Sequence, residues 1–196
     1  MYKRQISYYL GNWPPPLGIE YVIDRISIIP IMIVSVIGLI ATLFAHNFFT
    51  LEIDEKLVSK TYSLWLLTIA GLIGLITTAD AFNLFVFLEI SSLSAVALVA
   101  LGSKVDRKAL VAGYNYLILG AVGATFYVIG VGLLYGVTGT LNMGDLAQKI
   151  PALGLNKSVI VAFTFMMLGI MVKAAVFPLH IWLSLIHISE PTRLTS

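Results

Sequence analysis

Five long apolar stretches separated by short polar intervals make up most of this chain: residues 27–45, 62–79, 82–101, 109–137 and 158–177. Each has at least 18 residues, enough for a helix to cross a hydrocarbon core of about 30 Å. The pattern predicts an all-α fold, a polytopic bundle of five transmembrane helices. Only two side chains within the stretches carry a formal charge, Glu89 and Lys173.

The polar intervals define the loops. Residues 13–16, Trp-Pro-Pro-Pro, are expected to be extended by proline geometry, and Glu20, Asp24 and Arg25 follow them. The interval 46–61 mixes Glu52, Asp54 and Glu55 with Lys56 and Lys60, and a tight turn at Asp80 separates the second and third spans. Residues Gly102 to Lys108 carry Lys104, Arg107 and Lys108 against Asp106. As the most basic short loop, this one is expected to be cytoplasmic, which puts the Trp-Pro-Pro-Pro segment and Asp80 on the outer side. Further on, Asn142 precedes Met143-Gly144-Asp145. A capping side chain with an acidic third position predicts a short interfacial helix, ending before Pro151.

Composition supports the membrane reading. With 59% hydrophobic and 11% charged residues, a soluble domain of this size would expose too much apolar surface, so the chain reads as an integral membrane protein in a lipid bilayer. The absence of cysteine excludes disulfides and thiolate-bound iron–sulfur or zinc within the segment. A formal net charge of +2 implies no nucleic-acid partner. His46 and His180 are too few and too scattered for a metal cluster. No G-x-x-x-x-G-K-[ST] occurs, and residues 130–136 miss G-x-G-x-x-G with no strand before them. No cofactor is expected to bind this segment.

The two ends read differently from the rest. Residues 183–193, Leu-Ser-Leu-Ile-His-Ile-Ser-Glu-Pro-Thr-Arg, resemble a translated transposase-type sequencing adapter, and residues 1–5 resemble its reverse complement read from a GTG start. The expected division is therefore 1–5 adapter-derived, 6–182 native membrane domain and 183–196 adapter-derived. His187 and Glu190 are accordingly set aside as site residues. Lys3 and Arg4 could instead open a signal peptide, but Gly11-Asn12-Trp13-Pro14 stands where its apolar region should be. Without the tails, which hold Lys3, Arg4, Arg193 and Glu190, the native segment is formally neutral.

Gly113, Gly120, Gly123, Gly130, Gly132 and Gly136 enrich the fourth span, and glycines in membrane helices let neighbouring backbones approach closely. The two charges carry the chemistry. A charged side chain near a bilayer centre costs at least about 2.5–3.5 kcal/mol on insertion scales, so a retained acid and base are candidate site residues and suggest a pair. For Glu89 the structural alternative is a hydrogen-bonded neutral acid. Lys173 is followed by Pro178, which lacks a backbone donor and frees the carbonyl of Ala174, so the helix is expected to break one residue from the lysine. Broken helices at membrane depth are typical of ion and substrate sites. The alternative is that Pro178 simply ends the span and Lys173 snorkels to the interface.

At these residues the chain resembles the antiporter-like membrane subunits shared by respiratory complex I, membrane-bound hydrogenases and multisubunit Mrp-type Na⁺/H⁺ antiporters. The resemblance lies in residues 13–19 (WPPPLGI), 80–89 (DAFNLFVFLE), 139–147 (GTLNMGDLA) and 173–183 (KAAVFPLHIWL). The first and third are most similar to the D-type component of the Mrp antiporter. The resemblance implies that the five spans are the third to seventh of fourteen helices, in a prokaryotic cytoplasmic membrane. It also implies that Glu89 and Lys173 form a proton-translocating pair, with Lys173 on a broken helix.

Asp80 and Asn83 are expected to cap the third span, and His180 either to relay protons or anchor the break, or to be a satisfied structural histidine. Implied partners are other membrane subunits, protons and, for the antiporter branch, sodium. In the complex I branch the chain would belong to an NADH:quinone oxidoreductase without carrying a redox centre. Two departures stand out. Asn115 occupies a position where many members have lysine, and the family pattern is interrupted after Trp182. The rival readings are a non-pumping structural membrane subunit, and a quinone-binding subunit for which no grouping of His, Tyr and Asp is visible.

Overall fold

Inside lipid every backbone donor and acceptor must find a partner within its own segment, so an apolar chain of this kind is driven into helices. A computed structural model describes residues 5–52, 55–101, 108–154 and 156–177. The α-helices among the described residues are α1 (Ile28–Glu52), α2 (Glu55–Thr77), α3 (Ala81–Leu101), α4 (Lys108–Thr138), α5 (Met143–Leu153) and α6 (Lys157–Lys173). Four are long and apolar enough to cross a membrane, over Ile28–Ala45, Leu57–Thr77, Ala81–Leu101 and Leu110–Thr138. α6 has 17 residues and stops at Lys173. The all-α class holds, and five of the helices follow the five apolar stretches.

Helix ends differ from the hydropathy boundaries. The interval 46–61, expected as a loop, is mostly helical, because α1 continues to Glu52 and α2 begins at Glu55. Charged residues mark where a helix leaves lipid, but backbone hydrogen bonding carries the helix past that point. α5 likewise runs through Pro151 to Leu153 instead of ending before the proline. A proline near a helix C-terminus forfeits one donor while its carbonyl still accepts, here from Gly154 N–H at 3.3 Å.

The amino-terminal segment is also corrected. Residues 13–16 do not run on as an extended stretch. β1 (Ile6–Tyr9) and β2 (Glu20–Ile23) pair antiparallel, Ile6 opposite Ile23 and Tyr9 opposite Glu20, so the intervening chain must reverse. It does so with Leu17 and Gly18 N–H both donating to Pro14 C=O at 3.2 Å. Gly18 is required there, since a side chain would run into Trp13.

Small residues set the helix contacts. Gly71 of α2 faces the Ser91 backbone of α3 and Gly74 faces the Phe87 ring, while Thr68 donates to Ser94 at 2.9 Å. The most extensive interface is α4 with α6. There Gly123 and Gly130 meet Val172, Gly169, Ala162 and Met166, and Gly169 meets Tyr127. Gly132 and Gly136 have nothing near them, so only part of the glycine-rich face of α4 is a packing face. Ala81, Tyr127, Val131, Leu134, Leu146 and Ala162 form a core joining α3, α4, α5 and α6.

Candidate functional site

Glu89 is the ninth residue of α3 and Lys173 the last of α6. Packing of both helices against α4 brings these residues, 84 apart in sequence, into an ion pair: Lys173 Nζ donates to Glu89 Oε1 at 3.2 Å. The lysine side chain is only 11% exposed and that of the glutamate 25%. The same ammonium donates to Ser92 Oγ at 2.8 Å. Ser92 lies one turn beyond Glu89, at the i+3 spacing that puts both on one helix face. Tyr116 of α4 completes the group, lining the same pocket as Ser92 and Lys173. Glu89, Ser92, Tyr116, Gly120 and Lys173 line one small pocket.

Gly120 of α4 packs beside the ammonium, where a Cβ would stand 3.5 Å from Nζ, an ordinary van der Waals contact. The chain turns sharply after the lysine. Ala174 caps the helix, and Ala175 adopts a left-handed conformation with φ 52°. Ala175 N–H donates to Val172 C=O at 3.3 Å and Val176 N–H to Met171 C=O at 3.0 Å, the paired reverse bonds of a Schellman closure. The helix therefore ends at Lys173. Pro178 and His180 lie outside the described residues.

Asp80 and Asn83 are not part of this pocket. Nine residues separate Asp80 from Glu89, about 13 Å along the helix axis. Asp80 Oδ1 accepts from Asn83 N–H at 2.7 Å, the cap expected for α3. Asn83 in turn donates to Thr78 Oγ1 at 3.0 Å and to Tyr21 OH at 3.3 Å.

These residues belong to a polar layer that ties three connections together. Ala79 N–H donates to Glu20 C=O at 2.9 Å, Ala81 N–H to Leu141 C=O at 2.8 Å and Met143 N–H to Ala79 C=O at 2.8 Å. Asn142 donates to Glu20 Oε2 at 3.1 Å and accepts from Asp145 N–H at 3.0 Å, capping α5 as expected. On that helix Lys149 pairs with Asp145 at 2.9 Å and holds its carboxyl below the usual range. Asp24, just before α1, is lowered too, chiefly by the Ser27 backbone N–H.

Neither charge nor motif marks Ser92, Tyr116 or Gly120 as site residues. For Ser92 the available signal is its i+3 spacing from an intramembrane acid. Asn115, where many antiporter-like subunits carry lysine, is a half-buried neighbour of Tyr116 on α4.

Residues 78–196 match the family described as NADH:quinone oxidoreductase/Mrp antiporter, transmembrane. The chain belongs to this family. Similarity extends beyond the matched range. The N-type component of the NADH-quinone oxidoreductase of Desulforudis audaxviator is 47% identical over 176 residues, covering 90% of this chain and 34% of that protein. The D-type component of a probable K⁺/H⁺ antiporter of Rhizobium meliloti is 37% identical, covering 90% of this chain and 32% of that protein. Among solved structures, the archaeal membrane-bound sulfane sulfur reductase complex contains a chain with 37% identity and a TM-score of 0.76, over 89% of this chain and 34% of that one. The Mrp complex of Dietzia sp. DQ12-45-1b gives 28% identity and a TM-score of 0.77, over 93% of this chain and 33% of that one. This NADH:quinone oxidoreductase/Mrp antiporter family chain thus spans about a third of the length of the relatives it matches. It is an integral membrane protein with relatives in both branches.

Proposed function

We propose that this chain is part of an ion-translocating membrane subunit of a multisubunit complex, and that Glu89 and Lys173 handle its protons. The observation that carries the reading is the largely buried 3.2 Å ion pair between two helices that are otherwise free of charge in their apolar stretches. Ionised Glu89 favours the ammonium form of Lys173. Drawing the two apart leaves the ammonium poorly solvated, so its proton affinity falls and the proton passes on. The driving event is a conformational or electrostatic change transmitted by neighbouring membrane subunits. The transported ion is the proton, exchanged for a metal cation where the parent complex is an antiporter. The basic loop 102–108 faces the cytoplasm in a prokaryotic membrane.

The experiment is Glu89→Gln in the intact parent complex, with ion transport and subunit assembly measured side by side. Transport is expected to fall at least tenfold while assembly remains close to normal. Unchanged transport in an assembled complex would sink the reading.

A further inference from the structure

The Lys173 ammonium stands closer to a neutral oxygen than to its counter-ion, 2.8 Å from Ser92 Oγ against 3.2 Å from Glu89 Oε1. An ammonium has three hydrogens to donate and no acceptor, so it can hold both oxygens at once. Both acceptors sit on the same face of α3, one turn apart. The Ser92 oxygen is thus engaged from α6, and Tyr116 of α4 lines the same small pocket as Glu89, Ser92 and Lys173.

We propose that Ser92 is a positioning residue for the ion pair, a second acceptor that keeps hold of the Lys173 ammonium as Glu89 is drawn away. The functional weight of this role rests on the proton-handling reading of the pair. In a poorly hydrated site each acceptor retained by an ammonium counts for more than it would in water. With Glu89 alone, opening the pair would strip the ammonium in one step. With Ser92 in place the ammonium keeps an oxygen at each stage, and the separation at which its proton leaves is set by the hydroxyl. Among the described residues, the titratable groups facing Lys173 are Glu89 of α3 and Tyr116 of α4. The other titratable group of α6, Lys157, lies at the opposite end of that helix.

The test is ¹⁵N NMR of the Lys173 ammonium signal in the full chain in lipid bilayers, reading how fast its hydrogens exchange with water in the parent, Ser92→Ala, Ser92→Thr and Tyr116→Phe. Ser92→Ala removes one of the two acceptors and is expected to speed that exchange about fivefold, the size of one hydrogen bond. Ser92→Thr keeps the hydroxyl and restores the parent rate. Tyr116→Phe leaves both oxygens on the ammonium and changes the rate by less than Ser92→Ala. A Ser92→Ala rate equal to the parent's, or a Ser92→Thr rate as high as that of Ser92→Ala, would overturn the proposal. This readout is separate from transport. Undiminished pumping by Glu89→Gln would therefore refute the proton-handling role and leave the Ser92 result standing, and the converse also holds.

Discussion

At the scale of single residues, the informative ones are those whose presence in lipid is costly. Glu89 and Lys173 could be read from the sequence because each breaks a long apolar run, and their opposite charges suggested the contact that the structure contains. Ser92 and Tyr116 could not, because hydroxyls are cheap in membrane helices and their meeting depends on how α3, α4 and α6 pack. Outside the spans, Asp145 illustrates a charge with a local role. Its carboxyl is held low chiefly by Lys149, so any stability it adds is present above the ordinary aspartate range and disappears as pH falls through its lowered folded value. Amide protection in the first turn of α5 should therefore decline on acidification below about pH 4. Asp145→Asn should abolish that pH dependence; an unaltered decline in the variant would assign it to another group.

At the scale of elements, hydropathy located the long helices but not their ends. Apolar runs report where a segment meets lipid, whereas helices end where backbone hydrogen bonding ends, and α1, α2 and α5 outlast their sequence boundaries. Glycine content had the same limitation: six glycines in α4 look alike in sequence, yet their surroundings diverge. A Cβ at Gly130 would lie 2.6 Å from the Ala162 carbonyl oxygen and 2.8 Å from Met166 N, backbone atoms that cannot step aside, while Gly132 meets nothing within 4 Å. Gly130→Ala should therefore destabilise the α4–α6 interface by about 1–3 kcal/mol. Gly132→Ala should be neutral or stabilising by up to about 1 kcal/mol. Thermal unfolding in detergent distinguishes the two, and equal effects would show that α4 does not pack through Gly130.

At the scale of the whole molecule, the feature hardest to read from sequence is the polar layer joining β2, the α2–α3 turn and the α4–α5 turn. Its components were visible singly, Asp80 and Asn142 as caps, but Glu20 and Asn142 lie 122 residues apart and no local pattern links them. Asn142→Ala removes the α5 cap, at a cost of about 1 kcal/mol, together with the bond to Glu20. Hydrogen exchange should then rise in β2 as well as in α5; a rise confined to α5 would mean that the layer does not act as a unit. The opposite end of α6 has a different relation to its surroundings. Seventeen residues at 1.5 Å each make about 26 Å of helix, less than a hydrocarbon core of about 30 Å. A helix of that length, begun at one edge of such a core, would not reach the other. The carbonyls at its end would ordinarily call for water, but the reverse bonds from Ala175 and Val176 already occupy Val172 and Met171. Among the described residues the backbone thus supplies partners at its own helix end, and the oxygens left to the ammonium are those of α3 side chains, Glu89 and Ser92.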